Sequence, residues 1–382
     1  MVLFLTDGLP TVGQTSEVAI RKLALEANPH RRRIFTFGVG VDVNTPLLER
    51  IAAGTRGAAS FVLPGENVEV KVAGVFDRLE GPVLAEPRLL FDGPDPRTAG
   101  ARVHDLLPAL LPDLFEGDQL VVLGRYRGSE PLACRLSGRS AHGERSFEFR
   151  FGLERASTRH SFVPRLWASR KIADLIDAIR QLQAEGPAVK ELVDEIVRLS
   201  TEFGVLSEYT AFRALEGTDL AARDRVLAEA SRNFRERAIG SRSGAGSVNQ
   251  ELNQIAGKGQ SVLKPGNDYL DADLKHVAIT TVQQVSDLAF YKKGDRWIDS
   301  RSAGKSAEPK PGRTVRFASA EYFSLHRRLA TEGRQGLLCL PGDILVDLGG
   351  ELVLVKGHGE GGQETPRGGA RSSHESAGDG GP

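Results

Sequence analysis

The opening residues limit the fold most. Val2-Leu3-Phe4-Leu5 is an unbroken apolar run ending at Thr6-Asp7-Gly8, the pattern of a fully buried parallel strand that delivers a polar loop at its carboxyl end. Ser16 then precedes Glu17-Val18-Ala19-Ile20 and a periodic stretch to Ala27, stopped by Asn28-Pro29, so a capped helix follows. Ile34 to Val39 is a second strand. Thr45 as N-cap with Pro46 at the first helical position opens a helix through Ala53. Ala58 to Leu63 gives a third strand, with a helix from about Glu66 to Leu79. This alternation predicts an α/β fold, a partial doubly wound parallel sheet over residues 1–80. Open sheets of this type usually carry about five or six strands. The remainder is therefore expected upstream, and Met1 reads as an internal start.

Composition narrows the function. Lys plus Arg and Asp plus Glu both number 50 among 382 residues, so the broad basic field that nucleic acid or an anionic membrane attracts is missing, and neither partner is expected. Cys134 and Cys339 sit far apart in unrelated contexts, which argues against a disulfide framework or a thiolate metal site. No apolar run reaches the roughly 18 residues of a spanning helix, and no signal peptide is recognisable. As written, the chain is expected to be soluble and unexported.

Beyond the first unit, residues 81–163 read as a β-sheet domain, with strands including Gln119 to Tyr126 and Ser146 to Phe151. Phe147, Phe149 and Phe151 alternate with polar residues and predict one buried face. Residues 91–96 supply a turn. Residues 164–238 read as helical. Ile172, Leu175, Ile176, Ile179 and Leu182 form one apolar stripe, and Val189, Leu192, Val193, Ile196 and Leu199 form its match, which predicts a helical hairpin. A further helix, capped by Thr218 and running from Asp219 to about Ala238, alternates Arg with Glu as a solvated helix does. Residues 239–266 contain Gly-Ser-Arg-Ser-Gly-Ala-Gly and read as a flexible linker. Residues 267–356 read as a small C-terminal β-rich module, with hairpin turns at Gly294-Asp295 and Gly349-Gly350 and a strand at Gly336 to Leu340. That module is expected to fold on its own, and the glycine-rich tail, residues 357–382, to be disordered.

FLTDGLPTVG and FTFGVGVDVNTPLLERIA resemble the second half of a von Willebrand factor A domain. Together with PDLFEGDQLVVLGRY, FVPRLWASRKIADLID and FGVLSEYTAF, in that order over about residues 1–215, they are similar to the inter-alpha-trypsin inhibitor heavy-chain type. The resemblance implies an A domain that holds a divalent cation at the carboxyl ends of its strands, through an Asp-x-Ser-x-Ser loop, a Thr from a second loop and an Asp from a third. Hard oxygen ligands of this kind suit Mg²⁺. By this resemblance Asp7 is the third-loop metal position. The first two elements precede it in the family, and Asp-x-Ser-x-Ser occurs nowhere in this chain, so Mg²⁺ is expected to bind weakly. Read from the residues alone, Asp7 could equally cap the loop after a strand by accepting backbone N–H bonds.

Other motifs lead nowhere. Gly38-Val39-Gly40 lacks the third glycine of a dinucleotide loop, which would fall at Val43, and Gly304-Lys305-Ser306 lacks the first glycine of a phosphate loop at Asp299. No histidine pair has zinc spacing, and no Ser sits in a nucleophile elbow. The chain therefore reads as non-enzymatic, a protein-interaction or adhesion-type scaffold whose protein partner is not identifiable, and whose longer form the resemblance implies to be extracytoplasmic. Two alternatives stand beside it. One is a metal-dependent hydrolase using Asp7 with a second carboxylate such as Asp42; the other is a non-functional gene fragment.

Overall fold

The computed structural model describes residues 1–76, 78, 81–92, 102–153, 160–182, 186–215, 218–262, 264, 266–306 and 309–357. The turn expected at 93–96 and the tail expected beyond 357 lie outside the described residues.

The first unit alternates as its sequence predicts: β1 (Val2–Thr6), α1 (Glu17–Glu26), β2 (Ile34–Val39), α2 (Thr45–Gly54), β3 (Ala59–Val62) and α3 (Val68–Phe76). Its strands pair in parallel in the order β1-β2-β3, with Val2 opposite Ile34 and Thr6 opposite Gly38. Ser16 caps α1, its hydroxyl accepting the Ala19 amide. α2 starts differently from expectation. Asn44 is its cap, accepting the Leu47 amide at 3.0 Å, and this leaves the Thr45 hydroxyl buried inside the first turn. β1 has the apolar run of a buried strand but the exposure of an edge strand. Val2, Leu3, Phe4 and Leu5 are 41–57% exposed, because the apolar run forms the edge strand and β2, beside it, is the buried one. α1 buries no residue completely, although Ile20 and Ala24 reach the cluster of Ile34, Leu47 and Ile51.

Five strands follow: β4 (Ala85–Asp92), β5 (Val103–Leu107), β6 (Leu123–Tyr126), β7 (Leu132–Ser140) and β8 (Gly143–Phe151). They form an antiparallel sheet β4-β7-β8 and a separate pair β5-β6. The predicted buried phenylalanine face is also corrected. Phe147, Phe149 and Phe151 remain 38–49% exposed. β8 is an edge strand, and a gap of about 460 Å³ lies between Phe149 and Phe151 on one side and Val103 and Leu123 on the other.

The helical hairpin forms as the two stripes predict. α4 (Val163–Gln181) and α5 (Pro187–Phe203) bury Ile172, Ile176 and Ile179 against Val193, Ile196 and Leu199. α6 (Arg223–Asn233) continues as a π-turn over Phe234–Ile239. It starts later than expected, since the Thr218 hydroxyl donates to the Phe212 carbonyl at 3.0 Å and caps nothing. Nor is it wholly solvated: Val226, Ala230, Phe234 and Ala238 join the hairpin core.

The expected flexible linker is the largest correction. Residues Ala245–Gly259 form a helix, α7, with Ser247, Val248, Gln250 and Glu251 buried. Val248, Leu252 and Ile255 are spaced four and three apart, a helical stripe beneath a glycine-rich composition. Gly257 allows the close crossing, since a Cβ there would sit 2.9 Å from the Ala173 side chain of α4.

After β9 (Asn267–Leu270) and β10 (His276–Ile279), a sheet forms from β11 (Val282–Val285), β12 (Leu288–Lys293), β13 (Arg296–Asp299), β14 (Arg313–Arg316), β15 (Asp343–Asp347) and β16 (Leu352–Lys356), in the order β11-β12-β13-β15-β16-β14. A short helix α8 (Ser300–Ala303) and α9 (Ala320–Thr331) flank it. Both predicted hairpins are present, whereas Gly336 to Leu340 is no strand: Gln335–Leu338 turns as a 3₁₀ helix. The expectation of an isolated module is not met. Leu206 and Leu220 share one buried cluster with Val282, Tyr291 and Leu345. The Tyr291 hydroxyl donates to the Ser200 carbonyl at 3.0 Å, and Asn267 bonds both the Leu206 amide, at 2.8 Å, and the Gly204 carbonyl, at 2.9 Å. Gly204 itself has φ +60, and a Cβ there would lie 2.5 Å from that of Ala289.

Candidate functional site

The parallel strands deliver their loops at one end, where the sequence places Asp7. Thr6, the last residue of β1, turns its hydroxyl onto the next loop, accepting the Gly8 amide at 3.4 Å and lying 3.3 Å from the Gly8 carbonyl. The turn is therefore closed by Thr6. Asp7 is exposed, and no hydrogen bond to its carboxylate is found among the described residues. Asp42, beyond β2, is exposed as well. Among the described residues no three His, Cys, Asp or Glu side chains gather as a metal site. The strand end therefore offers an exposed carboxylate and a hydroxyl already engaged with its own loop.

A second concave site, which sequence reasoning missed, lies on the flank of α2. It is a cleft of about 940 Å³ bounded by α1, α2, α4, α7 and the Pro108–Pro112 loop. Its rim mixes exposed apolar side chains, Val18 and Leu25 each 51% exposed and Leu110 56%, with charged ones such as Lys22, Glu26 and Arg50. Its floor is ionic. Lys258 of α7 holds Glu49 Oε1 of α2 at 3.1 Å and Asp177 Oδ2 of α4 at 3.0 Å. Behind this triad, Arg180 and Glu251, 0% and 1% exposed, pair at 2.6 Å. Arg180 also donates to the Thr45 hydroxyl at 3.1 Å, and that hydroxyl lies 2.7 Å from Ser247 Oγ.

The electrostatics follow from burial and charge count. Burial raises the Glu49 carboxyl from 4.5 to about 7, and Asp177 and Glu251 add to the rise, outweighing Lys258. Burial alone would lower Lys258, but Glu49 and Asp177 together hold it above its ordinary value. Burial likewise raises Glu251 despite Arg180. A carboxyl raised toward neutrality by burial inside a large cleft with many charged residues is a recognised mark of a candidate site. The signal available in the sequence was the helical stripe of α7, which would have placed Glu251 and Lys258 on a helix. Nothing local marked Glu49, whose partners come from helices remote in the chain.

No family model matches the chain. It is similar to inter-alpha-trypsin inhibitor heavy chain H6 of Homo sapiens, 28% identical over 226 residues, covering 55% of this chain and 16% of that protein. Inter-alpha-trypsin inhibitor heavy chain H2 of Sus scrofa is 27% identical over 241 residues, covering 60% of this chain and 24% of that one. Heavy chain 4 of Mus musculus is 24% identical over 220 residues, 55% of this chain and 22% of that one. The chain thus spans no more than a quarter of the length of these relatives. Among solved structures, a von Willebrand factor type A protein from Catenulispora acidiphila aligns at 14% identity and a TM-score of 0.29, covering 53% of this chain and 55% of that chain. Over about 55% of its length, the chain is a homologue of the inter-alpha-trypsin inhibitor heavy chains, the family that its strand-end segments resemble.

Proposed function

We propose that this protein is an interaction module of the adhesion type, binding a protein partner rather than catalysing a reaction. The observation that carries the reading is β1. Its strand of Val2–Thr6 is uncharged, has apolar side chains half exposed on both faces, and among the described residues pairs only with β2. Such an edge is a template for strand addition, where backbone bonds give affinity and alternate side chains give selectivity. The kinship with inter-alpha-trypsin inhibitor heavy chains supports the same class, and a place outside the cytoplasm for a longer form belongs to this reading. Among the described residues no helix is long and apolar enough to cross a membrane.

Mg²⁺ is not given a role in this chain's own binding. A hard cation of that size wants about six oxygen ligands in near-octahedral array. The exposed Asp7 and the self-engaged Thr6 hydroxyl do not fit it as a resident ion.

Light scattering coupled to size-exclusion chromatography tests the proposal on the wild-type chain and on Phe4→Lys. The free edge should make the wild type associate as concentration rises, and the charge should abolish this. A wild type that stays monomeric throughout would sink the reading.

A further inference from the structure

The alternation of Phe147, Phe149 and Phe151 builds an apolar face, and the register carries it across the three-stranded sheet. Phe149 lies opposite Cys134, itself opposite Phe91, and Phe147 lies opposite Leu136, itself opposite Leu89. Facing sheets ordinarily interdigitate their side chains at a spacing of about 10 Å. Here the face looks across the gap of about 460 Å³ toward Val103 and Leu123 of the β5-β6 pair, and Phe149 and Phe151 stay 44% and 49% exposed. Apolar walls left to water around an opening of that size are unfavourable.

Among the described residues that line the gap, Arg125 is the one charged side chain. It is exposed, and none of its five N–H groups donates a hydrogen bond among the described residues. Its contacts are the Trp167 ring, 5.4 Å away, and Asp105 Oδ2 at 3.9 Å. Lys171 holds that carboxylate more closely, at 3.3 Å. A guanidinium offers paired donors that match a carboxylate, and one cation suits a single negative charge better than the near double charge of a phosphate monoester.

We infer that the gap takes the apolar tail of a long-chain carboxylate, with its head on Arg125 and its tail along Phe149 and Phe151. A cavity of about 150 Å³ holds a benzene ring, so this one, roughly three times as large, has room for an acyl chain of at least about 12 carbons. The inference goes beyond the reading of the chain as an interaction module and names a surface that shares no residue with β1.

Calorimetric titration of the full chain at pH 8 with dodecanoate, kept below its micelle concentration, tests it. Saturable one-to-one binding is expected, at least tenfold weaker for dodecyltrimethylammonium, which has the same chain and a positive head. In Arg125→Gln that preference should vanish, and Phe149→Ser should weaken both amphiphiles about tenfold. An unchanged circular dichroism spectrum checks the fold of each variant. Phe4→Lys should bind dodecanoate as the wild type does. No saturable binding of dodecanoate, equal binding of the two amphiphiles, or wild-type affinity in Arg125→Gln would overturn the inference. So would loss of binding in Phe4→Lys, which would assign the ligand to the β1 edge. Cosedimentation with phosphatidylglycerol vesicles that Phe149→Ser abolishes would also overturn it, by assigning the phenylalanine face to a membrane surface. Failure at Arg125 or Phe149 leaves the β1 association measurement standing on its own.

Discussion

Replacing Glu49 with Gln should stabilise this protein above neutral pH. Glutamine copies the shape of the protonated acid and cannot ionise, so the substitution removes one titration and little packing. Raising the carboxyl from 4.5 to about 7 corresponds to a factor of about 300 in proton affinity, or roughly 3 kcal/mol. The sign follows from linkage. The folded chain holds this proton more tightly than the unfolded chain, so the stabilisation is complete below about pH 4.5 and is lost as pH rises through about 7. At pH 8.5 the wild type therefore carries a buried, ionised Glu49, and Glu49→Gln should be more stable by about 3 kcal/mol; at pH 5 the gap should fall below about 1 kcal/mol. Urea unfolding of both proteins at the two pH values checks this. A variant less stable than wild type at pH 8.5, or a gap that does not change with pH, would show that Lys258 holds Glu49 as a simple ion pair.

Two further outcomes follow from other parts of the fold. Mg²⁺ calorimetry should detect no sub-millimolar binding, and Asp7→Ala should leave the titration unchanged; tight binding lost in that variant would mean that ligands gather around Asp7 on ion binding. The excised segment 267–356 should show no cooperative thermal transition comparable to that of the full chain, since Tyr291 and Asn267 bond to Ser200, Gly204 and Leu206 outside it; a sharp transition in the isolated segment would show those bonds to be dispensable.

Where the chain signals by periodicity or by capping, it was readable. The hairpin of α4 and α5, the order of strands and helices up to α3, and the two glycine turns of the C-terminal sheet all carry their cause within a few residues. The failures share a different physics. The phenylalanines of β8 alternate as a buried face does, and burial depends on what lies beside a strand, which no local pattern states. The glycines of residues 240–246 masked α7, whose stripe begins only at Val248. The cleft floor was invisible for the same kind of reason: Glu49, Asp177 and Lys258 come from three helices whose approach is fixed by packing, and in sequence each resembles an ordinary surface charge. Asp7 was legible as a metal position only through the family resemblance, and among the described residues its surroundings gather no metal-binding group.

The β1 edge and the α2 cleft differ in how firmly they are held. The cleft floor is built on helices locked by buried bonds. Arg180 reaches Glu251 and Thr45, and Asn249 and Asn253 both donate to the Leu270 carbonyl at 2.9 Å while Asn253 also accepts the Leu270 amide at 2.8 Å. α7 is thereby tied to the parallel-sheet unit, the hairpin and β9 at once. Charges held in this way are preorganised and resist rearrangement. Among the described residues β1 is held on one side only, by its bonds to β2. If strand addition occurs there, backbone bonds would set the register and the alternating side chains of Val2 to Leu5 would set which strand stays bound, so selectivity at β1 should respond to substitutions on that strand and not to those in the cleft.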